Sequence, residues 1–530
     1  MTTANHKTGR PGLATNILWT WALVAINLST ALFVGPLLVR RLGDQAYGLW
    51  ALVFSVVGNF GLLDMGIQSA LLKYVAQHLA LGDRDGLDRT LQTGVAYFAS
   101  VGCLLLLVTF ALAPFGPRFF QISPELSRSF VHAFLIVGVG WAIGVGFQCF
   151  TAGLEAAQRF DLSNRAIILA SFVRFVSIVV LLQLGYGLTA AVGAAVGARL
   201  LQCAIAWVFF RRVFPDFRFN PRAVSAAMFR PLMRFGIHTV PSTIGYMLLT
   251  QGPAVVIGHA MPVQYVGYYA LPGRLTLTVL DLVYRAAGVT TARSAELSAQ
   301  GRTEGLIRLG VMSNRYSLMV FIPFAALLLT YGDSLFSIWL TPAFAHASAP
   351  LLPVFVTGGL AEAAQFNSGS ILYGLGKHKV LSMMLLLEAG LSLCAIAYFT
   401  SIGEFRGAAI GATAVLILNR GCATPVLLCR ELSYPVGRYM AEVAGRPMAV
   451  MLATTAVLWL SRSTWLPGDG FLQIVAAGAV SAASCVILAG RYCVLKDHQT
   501  ILLEMLRRKA PFIATPARHW LGVRSTAVAA

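Results

Sequence analysis

Residues 16–39 run for the length of a bilayer-crossing helix without one charged side chain, and similar runs recur to the end of the chain. A helix needs about 20 mainly apolar residues to cross the hydrocarbon core of a bilayer. No water satisfies backbone N–H and C=O groups there, so only helices and closed barrels can span it. These runs are continuous and rich in Leu, Val and Ala rather than alternating, which selects helices. Fourteen spans are expected, near 16–39, 48–76, 91–113, 129–153, 166–184, 188–210, 235–259, 266–290, 306–330, 351–374, 380–400, 407–429, 447–465 and 470–494. The composition, 57% hydrophobic and 12% charged over 530 residues, excludes an ordinary soluble domain. The expected fold class is all-α and polytopic. The first run is too long for the core of a cleavable signal, so it reads as a retained span.

An internal repeat organises the spans. Gln45, Gly48, Ala51 and Leu52 return 219 residues later as Gln264, Gly267, Ala270 and Leu271. Gly82, Asp85, Gly86, Leu87 and Arg89 return at the same offset as Gly301, Glu304, Gly305, Leu306 and Arg308. Further on, 190–194 is echoed by 408–412, and Arg199 by Arg420. Six spans per repeat is an even number, so both copies enter the membrane in the same orientation. The expected organisation is an N-terminal six-helix lobe (1–210), a basic cytoplasmic linker (211–234) and a second six-helix lobe (235–430). Two extra transmembrane helices (431–494) and a cytoplasmic tail (495–530) follow. Transporters with this kind of repeat bind substrate between the repeats and rock one against the other.

The formal charge of +19 is explained by its placement. Of 40 lysines and arginines, six fall in odd-numbered loops (Arg40, Arg41, Arg118, Arg128, Arg406, Arg462) and six inside spans. The other 28 lie in the N-terminus, the even-numbered loops, the tail or the span ends beside them. The positive-inside rule then puts both termini in the cytoplasm, and the surplus suits attraction to anionic membrane lipids. No nucleic-acid recognition motif accompanies the charge. The linker, with six arginines and three prolines between Arg211 and Arg234, reads as partly helical and lying on the membrane surface. Residues 495–509 read as a second interfacial helix, with disorder beyond 510. The eight cysteines form no CxxC and read as small apolar filler.

Charges inside spans carry the chemistry. Each costs about 2.5–3.5 kcal/mol at a bilayer centre on insertion scales, so they are expected to face the bundle interior or a watery cavity. Six are arginines: Arg174, Arg199, Arg274, Arg285, Arg315 and Arg420. Four are acids: Asp64, Asp281, Glu362 and Glu388. Arg274, Thr278, Asp281 and Arg285, spaced four, three and four, form one stripe on a helix. Asp281 and Arg285 could equally neutralise each other as an i,i+4 pair. A guanidinium binds phosphate through a planar bidentate fork and does not deprotonate. Surplus arginine therefore suits an anionic cargo, above all a diphosphate, and makes the six arginines candidate substrate-cavity residues. The acids are candidate ion-coupling groups, because burial raises a carboxyl toward neutral pH. For Asp64 the competing reading is a helix-breaking Asp-x-Gly with a local partner. No P-loop, HExxH or Cys/His metal spacing is present, so no cofactor, metal or catalytic residue is expected.

Arg40-Arg41-Leu42-Gly43-Asp44-Gln45-Ala46-Tyr47-Gly48-Leu49-Trp50, followed by Gly61-Leu62-Leu63-Asp64-Met65-Gly66, resembles the polysaccharide transporter family. These are the O-antigen-type flippases of the multidrug/oligosaccharidyl-lipid/polysaccharide exporter superfamily. Residues 158–164 (Gln158 to Asn164), Arg234-Phe235-Gly236 and Val266-Gly267-Tyr268-Tyr269-Ala270 are similar to that family as well. The resemblance covers spans one to twelve. It implies a V-shaped, two-lobed transporter of the bacterial inner membrane, working by alternating access. It implies flipping of undecaprenyl-diphosphate-linked oligosaccharide to the periplasmic leaflet, coupled to H⁺ or Na⁺, beside polysaccharide polymerase and chain-length proteins. Gln251 departs from the pattern, since an acid is common there in relatives.

Other classes fit less well. Asp83-Arg84-Asp85-Gly86 matches a fragment of the major facilitator signature, but the residues around it do not. A glycan polymerase or glycosyltransferase needs a substantial external loop carrying acids or arginines, and every external loop here is short. A multidrug or organic-cation exporter of the same superfamily is opposed by the arginine surplus.

Overall fold

The computed structural model describes residues 33–237, 240–284, 287–465, 468 and 470–494. Most of the first expected span, Arg285 and the expected tail helix lie outside these residues. Among the described residues every regular element is a helix. Twelve are long and apolar enough to cross a membrane, corresponding to expected spans two to seven and nine to fourteen. The eighth, α10 below, is helical, but its polar residues dilute its apolar content.

In chain order the principal helices are α1 (Asp44–Gly58), α2 (Ile67–Leu81), α3 (Arg84–Leu112), α4 (Pro124–Gly146), α5 (Gln148–Ala156), α6 (Phe160–Gln183) and α7 (Leu188–Val213). Next come α8 (Ala226–Gly236), α9 (Val240–Ala260), α10 (Gln264–Tyr284), α11 (Ala287–Ala299), α12 (Thr303–Trp339), α13 (Leu352–Gly374) and α14 (His378–Ser401). The chain closes with α15 (Phe405–Leu416), α16 (Thr424–Glu431), α17 (Val436–Met440), α18 (Arg446–Thr464) and α19 (Phe471–Tyr492). The repeat is written into the turns. Gly82 and Gly301, 219 residues apart, both take left-handed backbone (φ 68° and 66°), where L side chains are strained. Gln158 and Gly376, and Gly185 and Gly403, do the same at an offset of 218.

The chain divides into two compact units, one of residues up to Leu271 with Leu385–Phe405, the other of Pro272–Met384 with residues from Arg406 onward. In the first, Phe98, Leu105, Cys149, Phe150 and Phe210 form a core with Ile67 and Leu71. Glycines allow close helix crossings, as membrane helices without a hydrophobic driving force require. A Cβ on Gly48 of α1 would run into the Val263 carbonyl just before α10. The Tyr268 hydroxyl of α10 donates to Asp44 Oδ2 of α1 at 2.9 Å. The expected second span is broken. After α1 come a 3₁₀ turn over Asn59–Asp64 and two left-handed residues, Met65 and Gly66, before α2 begins.

The linker is held to α3 by side chains reading its backbone. Gln92 Nε2 donates to the Arg218 carbonyl at 2.7 Å, and its Oε1 accepts from Asn220 N–H at 2.9 Å. Thr93 Oγ1 accepts from Ser225 N–H at 3.2 Å. Beyond it α8 buries Leu232 and leaves Arg230 and Arg234 exposed. At the start of α3, Asp83 accepts from Gly86 N–H at 2.9 Å. That bond, with His78 beside it, holds the Asp83 carboxyl below the usual range.

The second unit is built on α12, which packs against α13, α18 and α19. Asn314, Ser317, Asn367 and Ser368 are buried at its junction with α13 and satisfy one another. Asn314 Nδ2 donates to Ser368 Oγ and to the Tyr439 hydroxyl, both at 2.8 Å. Asn367 Nδ2 donates to Ser317 Oγ at 2.8 Å, and its Oδ1 accepts from the Thr290 hydroxyl at 3.0 Å. Buried amides left unpaired would each cost about 1–3 kcal/mol. The two extra helices clip onto α12 at one end through Arg462, which reaches the Asp333 carboxylate, Ser334 Oγ and the Thr330 carbonyl.

Candidate substrate-binding and coupling residues

Arg199 stands mid-way along α7, in the first unit. Its guanidinium lies 4.1 Å from the centre of the Trp141 ring on α4. Gly144, one turn along α4, leaves the room this needs, since a Cβ there would come 2.9 Å from Arg199 Nε. That Nε is buried and has no hydrogen-bond partner. Among the described residues no carboxylate pairs with it. A cation on an indole face gains about 0.5–2 kcal/mol, and this half-buried guanidinium has no ion pair among the described residues to add to it. The arrangement therefore holds an arginine whose charge and donors are only partly answered. Arg174 is half-buried on α6, the helix packed along α7.

Asp64 sits at the broken second span, where Oδ1 accepts the Gln68 N–H at 3.1 Å. It thereby satisfies one of the orphan donors opening α2 and faces that helix's positive end. The local partner anticipated for an Asp-x-Gly break is in place. Glu388, on α14 in the same unit, is buried to 1% exposure.

In the second unit, Arg274 and Asp281 are exposed on one side of α10, while Leu275, Val279 and Leu280 are buried on the other. Leu277 between them is exposed as well, and Arg285 lies outside the described residues. Thr278 between them is turned inward on its own helix, donating to the Arg274 carbonyl at 2.8 Å.

Glu362 and Arg420 are brought together. Glu362, 4% exposed on α13, accepts Arg420 Nη1 and the Tyr284 hydroxyl of α10 on one oxygen. Arg420 reaches it from a π-helical segment, Ile417–Ala423, that follows α15. Such wide turns are inserted irregularities, frequent at functional sites. Tyr284 was not anticipated, although it falls three residues after Asp281 on the stripe.

Arg315 stands apart from the others. It is buried on α12, and its Nε donates to the Glu442 carbonyl at 2.9 Å. Nη2 reaches the same carbonyl, and Nη1 the Cys493 carbonyl at 3.5 Å. It ties α12 to the segments that open α18 and close α19. The described residues contain no group of three or more His, Cys, Asp or Glu placed to hold a metal.

The fold matches solved transporters. An inward-closed lipid II flippase MurJ aligns with a TM-score of 0.67 at 12% identity, covering 90% of this chain and 99% of that one. An inward-facing MATE-family multidrug transporter of the MOP superfamily aligns with 0.63 at 13%, covering 77% and 99%. In sequence, the membrane protein EpsK of Bacillus subtilis (strain 168) is 20% identical over 498 residues, 91% of this chain and 96% of the relative. A Shigella flexneri protein named as a candidate O-antigen transporter is 21% identical over 403 residues, 75% and 94%. The sequence profile of the family described as "Polysaccharide biosynthesis protein" matches residues 13–291, more than half of the chain. The chain thus belongs to the polysaccharide biosynthesis protein family, with the fold of the MOP-superfamily transporters.

Proposed function

We propose that this protein moves lipid-linked oligosaccharide, carried on undecaprenyl diphosphate, from the cytoplasmic to the periplasmic leaflet of a bacterial inner membrane. The observation that carries this reading is Arg199: a mid-span guanidinium with a buried, unsatisfied Nε and no carboxylate partner among the described residues. Such a group awaits an anion, and a diphosphate offers several acceptor oxygens in the geometry of its fork. Arg174, half-buried on the neighbouring α6 of the same unit, would add to the positive field around Arg199. The candidate O-antigen transporter and the lipid II flippase among the relatives support the class of cargo by their names. The work is transport rather than catalysis, with polysaccharide polymerase and chain-length proteins as its neighbours in the pathway.

Coupling falls to Glu362. Its carboxylate holds Arg420 and Tyr284 together, so protonation would remove the negative charge and release the π-helical segment. Asp64, engaged as a helix cap, is the weaker candidate. In proteoliposomes carrying labelled undecaprenyl-diphosphate glycan, the intact protein should flip the lipid. Arg199→Ala should slow flipping by about ten- to a hundredfold, the loss of one charge-assisted contact of 1.5–3 kcal/mol. Arg199→Lys should recover only part, because the fork is lost. Flipping unchanged in Arg199→Ala would make the arginine structural, and transport of a small cation in place of the lipid would give the protein another cargo.

A further inference from the structure

A cavity of about 370 Å³ opens between the first three turns of α12 and the segment running from Tyr434 to Glu442. That volume lies within the about 300–1,000 Å³ usual for small-ligand sites. One wall is apolar, formed by Ile307, Val311 and Met312, and the floor is Arg315. Arg315 is 7% exposed, so its charge is withdrawn from water. Among the described residues its hydrogen-bond partners are neutral carbonyls, those of Glu442 and Cys493. The end of α19 behind Cys493 supplies at most about half a negative charge.

The acids around the cavity are engaged elsewhere. Glu442 Oε1 accepts Arg438 Nε at 3.0 Å and the Tyr434 hydroxyl at 3.1 Å. On the rim, Glu304 stands one helical turn before Arg308, at i,i+4 spacing that sets acid against base. The three arginines and two glutamates of the lining sum to one positive charge, and Arg315 is the buried arginine among them. A buried cation with no carboxylate partner among the described residues is strongly disfavoured, and this one sits at the bottom of an accessible pocket with an apolar wall.

We infer that this pocket binds a phosphate-class anion, distinct from the transported cargo, whose phosphate supplies the missing charge to Arg315 and whose apolar part lies along Ile307 and Met312. An anionic phospholipid headgroup and a soluble phosphate share that chemistry. The turns that open on the pocket, between α11 and α12 and between α16 and α17, are among the arginine-rich loops read above as cytoplasmic. Basic pockets between helices on that side suit anionic headgroups.

The test uses the full-length protein in mild detergent, with retained lipid read by native mass spectrometry and stability by thermal unfolding. Phosphatidylglycerol should be retained at least tenfold more strongly than phosphatidylcholine and should raise Tm. Met312→Trp, which fills the pocket beside the arginine, should fold normally and lose that tenfold preference. Arg315→Gln should lose it as well; if that variant does not fold, Met312→Trp decides alone. Inorganic phosphate that raises Tm in the intact protein but not in Met312→Trp would identify the soluble form as the ligand. Equal retention of the two lipids with no response to phosphate would overturn the site, as would full phosphatidylglycerol preference in Met312→Trp. The sequence also carries an acid, Asp497, four residues beyond Cys493. A tenfold gain in binding on Asp497→Asn would show that the chain's own carboxylate is the resident anion and overturn the proposal. Because no step depends on flipping, failure here leaves the transport reading intact.

Discussion

At the residue scale, the same amino acid does four different jobs in one chain. Arg199 is held on an indole face with an unsatisfied Nε, Arg420 is paired with Glu362, Arg315 is bonded to carbonyls, and Arg462 fastens a helix pair. The paired case makes a quantitative prediction. Glu362 is 4% exposed, so Glu362→Gln would take a buried carboxylate away from the Arg420 guanidinium. Breaking a buried pair from one side costs about 3–5 kcal/mol. Arg420 is about a quarter exposed, which places the expected loss toward the lower end of that range. Glu362→Gln with Arg420→Gln should recover part of it, because the pair is then removed from both sides. Thermal unfolding in detergent across the four proteins reads the coupling, and simple additivity would show that the pair stores nothing. The spans that contain these residues were plain in the sequence, since bilayer crossing is a local property that a window of residues reports. Their partners were not, because Glu362 and Arg420 are 58 residues apart and nothing local distinguishes Arg420 from Arg199. The repeat even aligns those two arginines, yet one is paired and the other is stacked.

At the scale of elements, the long helix α12 shows how a proline is accommodated at membrane depth. Pro323 lies inside α12 and has no N–H to offer the Met319 carbonyl four residues before it. The Cys485 thiol of α19 lies 3.7 Å from that carbonyl and takes the vacated place. One turn earlier, Ser481 Oγ donates to the Pro323 carbonyl at 2.7 Å. Neighbouring helices are expected to re-satisfy freed backbone groups in this way. The cysteine read from sequence as apolar filler is thus also a donor, a role that only the opposing proline reveals. Ser481→Ala should cost about 0.6 kcal/mol, the mean for interhelical hydrogen bonds in membranes. Cys485→Ala should cost a smaller amount in the native chain and nothing measurable with Pro323→Ala, whose restored N–H would serve Met319 from within the helix. Equal costs for Cys485→Ala with and without the proline would mean that the thiol contributes by packing alone. A different kind of break, at Met65-Gly66, was foreshadowed by the Asp-x-Gly spacing but not placed, because the apolar run continues through it.

At the scale of the whole molecule, orientation follows from where the arginines are absent. The odd-numbered loops hold six of the 40 basic residues, against 28 in the even-numbered loops, termini and adjoining span ends. On the insertion rule that bias is strong enough to set topology for loops this short. On that rule the turns at Gly185 and Gly403 would face the periplasm and those at Gly82, Gly301 and Gly376 the cytoplasm. The left-handed turns recur at matched offsets, so each repeat reverses at equivalent places in its sequence. Single cysteines in a background lacking the eight native ones provide the check. Tyr186 and Ile402 are both exposed, so Tyr186→Cys and Ile402→Cys should react with a membrane-impermeant maleimide in intact cells. Gln300→Cys, exposed beside Gly301, should react only after the membrane is permeabilised. The reverse pattern would invert the molecule and send the proposed cargo the wrong way. If Tyr186→Cys and Ile402→Cys labelled from opposite sides, the two repeats would be antiparallel, and an odd number of crossings would have to separate them.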